Sequence, residues 1–225
     1  IAYLAVYPGM GNFAGFFGWS SANQYDKEMA RAEKKYGPIY AQYREVAVPE
    51  LAKNAEATAM GRRLYLTSCI QCHGSDAQGS KGYPNLADSA WLWGGSPEQI
   101  KQSIASGRQG VMPPHQAMLN DQGVDEVAHY VLSLSGRSDA DAAKAEAGKA
   151  RYAVCQGCHM PGGEGNPMLG APDLTDKDWL YGRHVDDVKK VIAEGKQGVM
   201  PAHDETLSSD KIHLLTAYVY SLSNG

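Results

Sequence analysis

Charge is missing from the start of the chain: no Asp, Glu, Lys or Arg occurs before Asp26. The same stretch holds Tyr3, Tyr7, Phe13, Phe16, Phe17, Trp19 and Tyr25, including all three phenylalanines of the 225 residues. A long hydrophobic run is also lacking, because the apolar opening Ile1–Tyr7 is interrupted by Pro8, Gly9 and Gly11. Seven residues cannot span a bilayer, which takes about 20. Residues 1–20 are not expected to be a signal peptide, which would need a basic leading segment. No basic run occurs, and the net charge of −4 speaks against a nucleic-acid partner. Residues 1–20 therefore read as the end of a transmembrane or interfacial anchor that begins upstream, with its aromatics at the membrane–water boundary. A greasy strand or arm is the alternative. Alternating, strand-like patterns of useful length are absent, and cysteines are few.

The four cysteines lie in Cys69-Ile70-Gln71-Cys72-His73 and Cys155-Gln156-Gly157-Cys158-His159. Two disulfides or a zinc knuckle would account for the pairs. A four-cysteine knuckle, however, sets its pairs closer than the 86 residues seen here, and has no need of a histidine at the same offset twice. Cys-x-x-Cys-His is the attachment signature of haem c. Two thiols add across the porphyrin vinyl groups, and the adjoining histidine is thereby placed under the iron. One such pentapeptide could arise by chance, but two at matched places in a repeat are a strong signal. The sequence predicts two covalently bound haems c, with Cys69, Cys72, Cys155 and Cys158 as thioethers and His73 and His159 as axial ligands.

The chain downstream of the spacer is a duplication. Pro84, Leu86, Trp91-Leu92, Gly107 and Gln109-Gly110-Val111-Met112-Pro113 recur 88 residues later as Pro172, Leu174, Trp179-Leu180, Gly195 and Gln197-Gly198-Val199-Met200-Pro201. Met112 and Met200 are the candidates for the sixth ligand, since a thioether raises the haem potential relative to a second histidine. They follow His73 and His159 by 39 and 41 residues, so nearness in sequence pairs His73 with Met112 and His159 with Met200. A core methionine is the competing reading. His115 and His203 are also matched, and could ligate iron or bond near a propionate. Met118, Met168, His129, His184 and His213 have no counterpart and read as ordinary core or surface residues. A carbonyl at Pro84 or Pro172 could accept the imidazole N–H, unless these are simply turn prolines. Trp91 and Trp179 either donate an indole N–H to a propionate or pack in the core.

The expected fold class is mostly α. Helices are expected at 55–68 and 142–154 ahead of the two motifs, from the Ser96-Pro97-Glu98 start to Gly107, up to the matching Gly195, and at 122–135 and 209–223. Residues 58–136 and 144–225 form two small helical domains joined by a short linker at 137–143. Residues 21–57 read as a helical spacer capped by Ser21, broken at Gly37-Pro38, and resuming as an amphipathic stretch from Ile39 to Val48.

With these residues in place the resemblance is specific. Two class I cytochrome c domains in tandem, Tyr7-Pro8-Gly9-Met10-Gly11-Asn12-Phe13, Gly18-Trp19, Trp91-Leu92-Trp93-Gly94 and Met112-Pro113-Pro114-His115 resemble the dihaem, membrane-anchored subunit of cbb3-type cytochrome c oxidases, the CcoP/FixP type. The resemblance implies a subunit that is not itself an enzyme. It would take electrons from a donor cytochrome c on the periplasmic face of the bacterial inner membrane. It would relay them through both haems to the monohaem cytochrome subunit, and so to the haem–copper subunit that reduces oxygen. A free periplasmic dihaem carrier of the cytochrome c4 kind is the alternative, although the uncharged aromatic N-terminus has no use there. A dihaem peroxidase would need an open sixth position, against which the twin Gly-Val-Met-Pro segments argue. Residues 138–225 carry 13 acidic groups against nine basic, while 58–137 balance at six and six. A basic donor is therefore expected to dock on the second copy.

Overall fold

The computed structural model describes residues 2–8 and 15–224. Residues 9–14, which include most of the Tyr7–Phe13 motif, lie outside the described residues. Residues 1–45 and 46–225 form two separate compact bodies.

In the first body, α1 (Ala2–Val6) precedes a small aromatic cluster. Tyr3 stacks on Tyr7 with ring centroids 4.9 Å apart, and Phe17 and Trp19 meet Tyr7 edge-on at 5.8 and 6.1 Å. Ser20, one residue before the expected cap, forms a capping box with Asn23 and starts α2 (Ser21–Ala41). Gly37-Pro38 does not break this helix. Pro38 lies inside it, because loss of one N–H near the end of a 21-residue helix leaves only a short last turn to be held by its neighbours. The amphipathic stretch expected at 39–48 is instead the end of α2 followed by turns. No helix among the described residues is long and apolar enough to cross a membrane.

The second body opens with α3 (Val48–Leu51), where Pro49 sits in the first turn rather than closing a helix. Asn54 caps α4 (Ala55–Ser68), accepting from the N–H groups of Glu56 and Ala57, and α5 (Ile70–His73) follows at once. An irregular stretch leads to α6 (Pro97–Ser106), with a Ser96–Gln99 capping box, then β1 (Arg108–Met112) and α7 (Gln116–Leu134). Asn120, with φ 54°, kinks α7, so that the expected start at 122 marks only its second segment. The second copy repeats the order as α8 (Ala142–Arg151), a 3-10 turn at Tyr152–Val154, α9 (Gln156–His159), α10 (Val185–Glu194), β2 (Lys196–Met200) and α11 (Ser209–Asn224). Strands were not expected. Each is only five residues with a central glycine, and they pair only with one another, antiparallel, Gly110 facing Gly198.

Two apolar cores result, and neither belongs to one copy. One joins Tyr65, Ile100 and Ile104 of the first copy to Ile212, Leu215, Tyr218 and Val219 of α11. The other joins Val124, Val127, Val131 and Leu132 of α7 to Tyr152, Cys155, Val188 and Ile192 of the second copy. The sequence boundary at 137–143 is therefore not a boundary in space: each copy donates its last helix to the other. Glycine permits the close crossings. A Cβ on Gly61 of α4 would lie 2.4 Å from the Leu214 carbonyl oxygen of α11, and one on Gly148 of α8 would lie 2.1 Å from that of Glu126 on α7.

Candidate functional site

The attachment motifs are presented the same way in both copies. Cys69 follows α4 directly and α5 is a single turn from Ile70 to His73; Cys155 follows the 3-10 turn directly and α9 runs from Gln156 to His159. The turn thus places both cysteines and the histidine of each motif within little more than one helical revolution. None of the four thiols is in a disulfide. Burial, with a smaller contribution from Cys72, pushes the Cys69 thiol up to about 11, and burial with Cys158 does the same at Cys155. A redox Cys-x-x-Cys does the opposite, depressing one thiol so that it attacks as thiolate. Among the described residues no three His, Cys, Asp or Glu side chains converge as a zinc site requires.

Both histidines are oriented by a proline carbonyl. His73 Nδ1 lies 2.9 Å from Pro84 O, and His159 Nδ1 lies 3.0 Å from Pro172 O. A carbonyl can only accept, so Nδ1 carries the proton and Nε2 keeps a free lone pair suited to a metal. His159 is also held below the usual imidazole range, by burial first and by the nearby His115 last, with the Pro172 bond opposing. The shift favours the neutral ring, the form that can coordinate.

A small pocket opens on the first motif. Its walls include Tyr65, Cys69, His73, Leu86, Trp91 and Met200. The expected pairs were His73 with Met112 and His159 with Met200. Met200 and His203 of the second copy line the His73 cavity, whereas Met112 packs against the core that contains Tyr152 and Cys155. The physical reason is the pairing of β1 with β2, which carries each methionine past its own copy. The donor set of thiols, proline-bound imidazole and thioether, in an apolar wall, fits a haem c at both places.

Trp91 and Trp179 are partly buried against the two cores, as core packing requires. His129 Nδ1 accepts the N–H of Asp141, His184 caps α10 with Asp187, and His213 Nε2 lies 2.8 Å from Val46 O. Met118 and Met168 are exposed.

Sequence reasoning missed Tyr65 and Tyr152. Both are fully buried, and both donate their hydroxyl to the residue after the motif: Tyr65 to Gly74 O at 2.6 Å, Tyr152 to Met160 O at 3.2 Å. Each pins the attachment turn from behind. Their recurrence just before the first cysteine of each copy was the available signal. Met160 stands where the first copy has Gly74 and adopts φ 65°, ψ 162°, a conformation that glycine takes without strain.

Asp186, 91% exposed, and Asp187, paired with Lys81 at 2.6 Å, lie on α10, while Asp204 adjoins His203 and the first cavity.

Comparison with known proteins places this geometry. Residues 56–131 and 143–219 match the family described as cytochrome c oxidase, cbb3-type, subunit III. The chain is 46% identical to the cbb3-type cytochrome c oxidase subunit CcoP of Rubrivivax gelatinosus, over 99% of this chain and 73% of that protein. It is 39% identical to subunit FixP of Bradyrhizobium diazoefficiens, over 100% and 84%, and 36% identical to FixP of Azorhizobium caulinodans, over 100% and 81%.

Proposed function

Because the chain belongs to the subunit III family of cbb3-type cytochrome c oxidases, the CcoP/FixP family, it is an electron-transfer subunit of such an oxidase rather than its oxygen-reducing catalyst, and we propose that it does this with two covalently held haems c. Cys69 and Cys72 hold one haem and Cys155 and Cys158 the other, as thioethers. His73 and His159 would each supply a ring nitrogen to the iron, and Met112 and Met200 a thioether sulfur. What the haem supplies is a reversible one-electron couple; the rest is done by the chain. The proline carbonyls at 84 and 172 fix each imidazole ring and make it a better donor. Tyr65 and Tyr152 hold the turn that sets the histidine against the thioethers. The apolar walls exclude water and, with a sulfur ligand, favour a high potential.

The relay runs from a donor cytochrome c, through both haems, to the monohaem cytochrome subunit and the haem–copper subunit. Residues 58–136 and 144–225 are the two haem-bearing repeats. Residues 21–57 are the spacer and residues 1–20 the end of an anchor in the bacterial inner membrane, with the haems on the periplasmic side. The acidic excess of 138–225 suits a basic donor, whose approach salt would slow. The observation that carries the reading is the repeated constellation of paired thiols, a histidine proton-donating to a proline carbonyl, and a methionine. The test is haem content: the purified chain should carry two haems c that survive denaturation, and Cys155→Ala with Cys158→Ala should leave one. A chain that releases all its haem on denaturation would refute it.

A further inference from the structure

The two repeats exchange the segments that close each other's core, and we propose that each iron takes its sulfur from the opposite repeat: Met200 for the haem held by Cys69, Cys72 and His73, and Met112 for the haem held by Cys155, Cys158 and His159. This rests on the reading that those residues bind haem c.

Four observations lead there. Met200 lines the cavity of His73 and Cys69, and Met112 is packed against the core of Tyr152 and Cys155. The antiparallel register sets Met112 opposite Lys196 and Met200 opposite Arg108, at the two ends of one ribbon. Four residues of strand separate those ends by about 13 Å, so the two methionines face different cores. The glycines that end α6 and α10 then clamp the exchanged segments. A Cβ on Gly107 would lie 2.3 Å from Met200 O, and one on Gly195 would lie 2.4 Å from Met112 O. Both glycines hold positive φ, 67° and 70°, so a side chain is barred by conformation as well as by space. Finally, His203 donates its N–H to Ile104 O at 3.1 Å and His115 donates to Ile192 O at 3.0 Å, fixing the chain just beyond each methionine in the other repeat. An uncrossed arrangement would need the ribbon unpaired, both glycine contacts opened and both terminal helices moved.

His203 also lines the first cavity, and the sulfur signature separates it from Met200. With Cys69→Ala and Cys72→Ala the chain keeps one haem, on Cys155 and Cys158. In its oxidised form the far-red sulfur-to-iron charge-transfer band is expected to vanish, and the potential to fall, with Met112→His; both should persist with Met200→His. Loss of the band with Met200→His alone would overturn the crossing and leave the haem reading intact. A parent chain with one haem and no sulfur band would overturn methionine ligation, and the proposal with it. The unmodified dihaem chain gives a second measurement that needs no variant to fold. With methyl-labelled methionine, magnetisation transfer from the Met200 methyl to Tyr65 or Leu215 is expected. Transfer to Tyr152 or Val188 instead would overturn the proposal.

Discussion

At the scale of single residues, Asp125 shows how the exchange is held. It sits on α7 of the first copy and binds two lysines of the second, Lys144 at 2.7 Å and Lys189. Those two hydrogen-bonded ammonium groups hold its carboxyl at about 2, against burial, which acts the other way. A depressed carboxylate stabilises the fold fully above the ordinary aspartate range, and that contribution is lost as pH falls from about 4 to about 2. With the side chain 24% exposed, solvent screening reduces the effect to about 1–2 kcal/mol. Asp125→Asn is therefore expected to lower the denaturant midpoint at pH 7 and to match the parent near pH 2. A constant gap between the two over that range would contradict the assignment. Asp88 and Asp176 have the opposite sign, since burial raises both, but they are common to parent and variant and cancel in the comparison. The candidate residues were legible wherever a motif carried them, as with the cysteines, His73 and His159, and of the two readings open for Pro84 and Pro172 their carbonyls do accept from these histidines. Tyr65 and Tyr152 were not, because a tyrosine's role lies in which carbonyl its hydroxyl reaches, and that is set by the fold of the turn.

At the scale of elements, the helices follow from caps and apolar spacing. Asn54, Ser96 and Asp141 each accept backbone N–H bonds at the start of α4, α6 and α8, and α4 runs over the expected 55–68. Legibility fails where an element depends on a distant partner. The five-residue strands carry too little alternation to be seen, and exist because each satisfies the other's backbone. The Gly148 contact is the most demanding in the helix pairs, with no room for a methyl group against Glu126 O. Gly148→Ala gains about 1 kcal/mol in helix propensity. Forcing α7 and α8 apart is expected to cost more, for a net loss of about 1–3 kcal/mol in chemical denaturation. An unchanged or raised midpoint would show that the helices do not cross there.

At the scale of the whole molecule, α7 and α11 have the same apolar pattern, Val124, Val127 and Val131 against Ile212, Leu215 and Val219. Either helix would satisfy either core, so no reading of periodicity distinguishes a closed copy from an exchanged one. The choice is made by the ribbon and its glycines, which are non-local. A consequence can be measured. Leu215 is fully buried, in the second copy by sequence but in the core of the first motif by position. Leu215→Ala is expected to cost about 2–5 kcal/mol and, under the proposed function, to loosen the haem on Cys69 and Cys72 before the other. If the haem on Cys155 and Cys158 were the one to loosen, α11 would belong to its own copy.

The exchange also sets a timetable for synthesis. When the first repeat has left the ribosome it holds its attachment motif and one wall of a core, but not α11, which ends at Asn224. At rates of about 5–20 residues per second, roughly 4–18 s pass before that helix exists. During that interval Tyr65, Ile100 and Ile104 lack the cover of Ile212, Leu215 and Val219. The first motif is thus the earlier to be made and the later to be enclosed, a window in which Cys69, only partly exposed in the finished fold, still meets solvent freely.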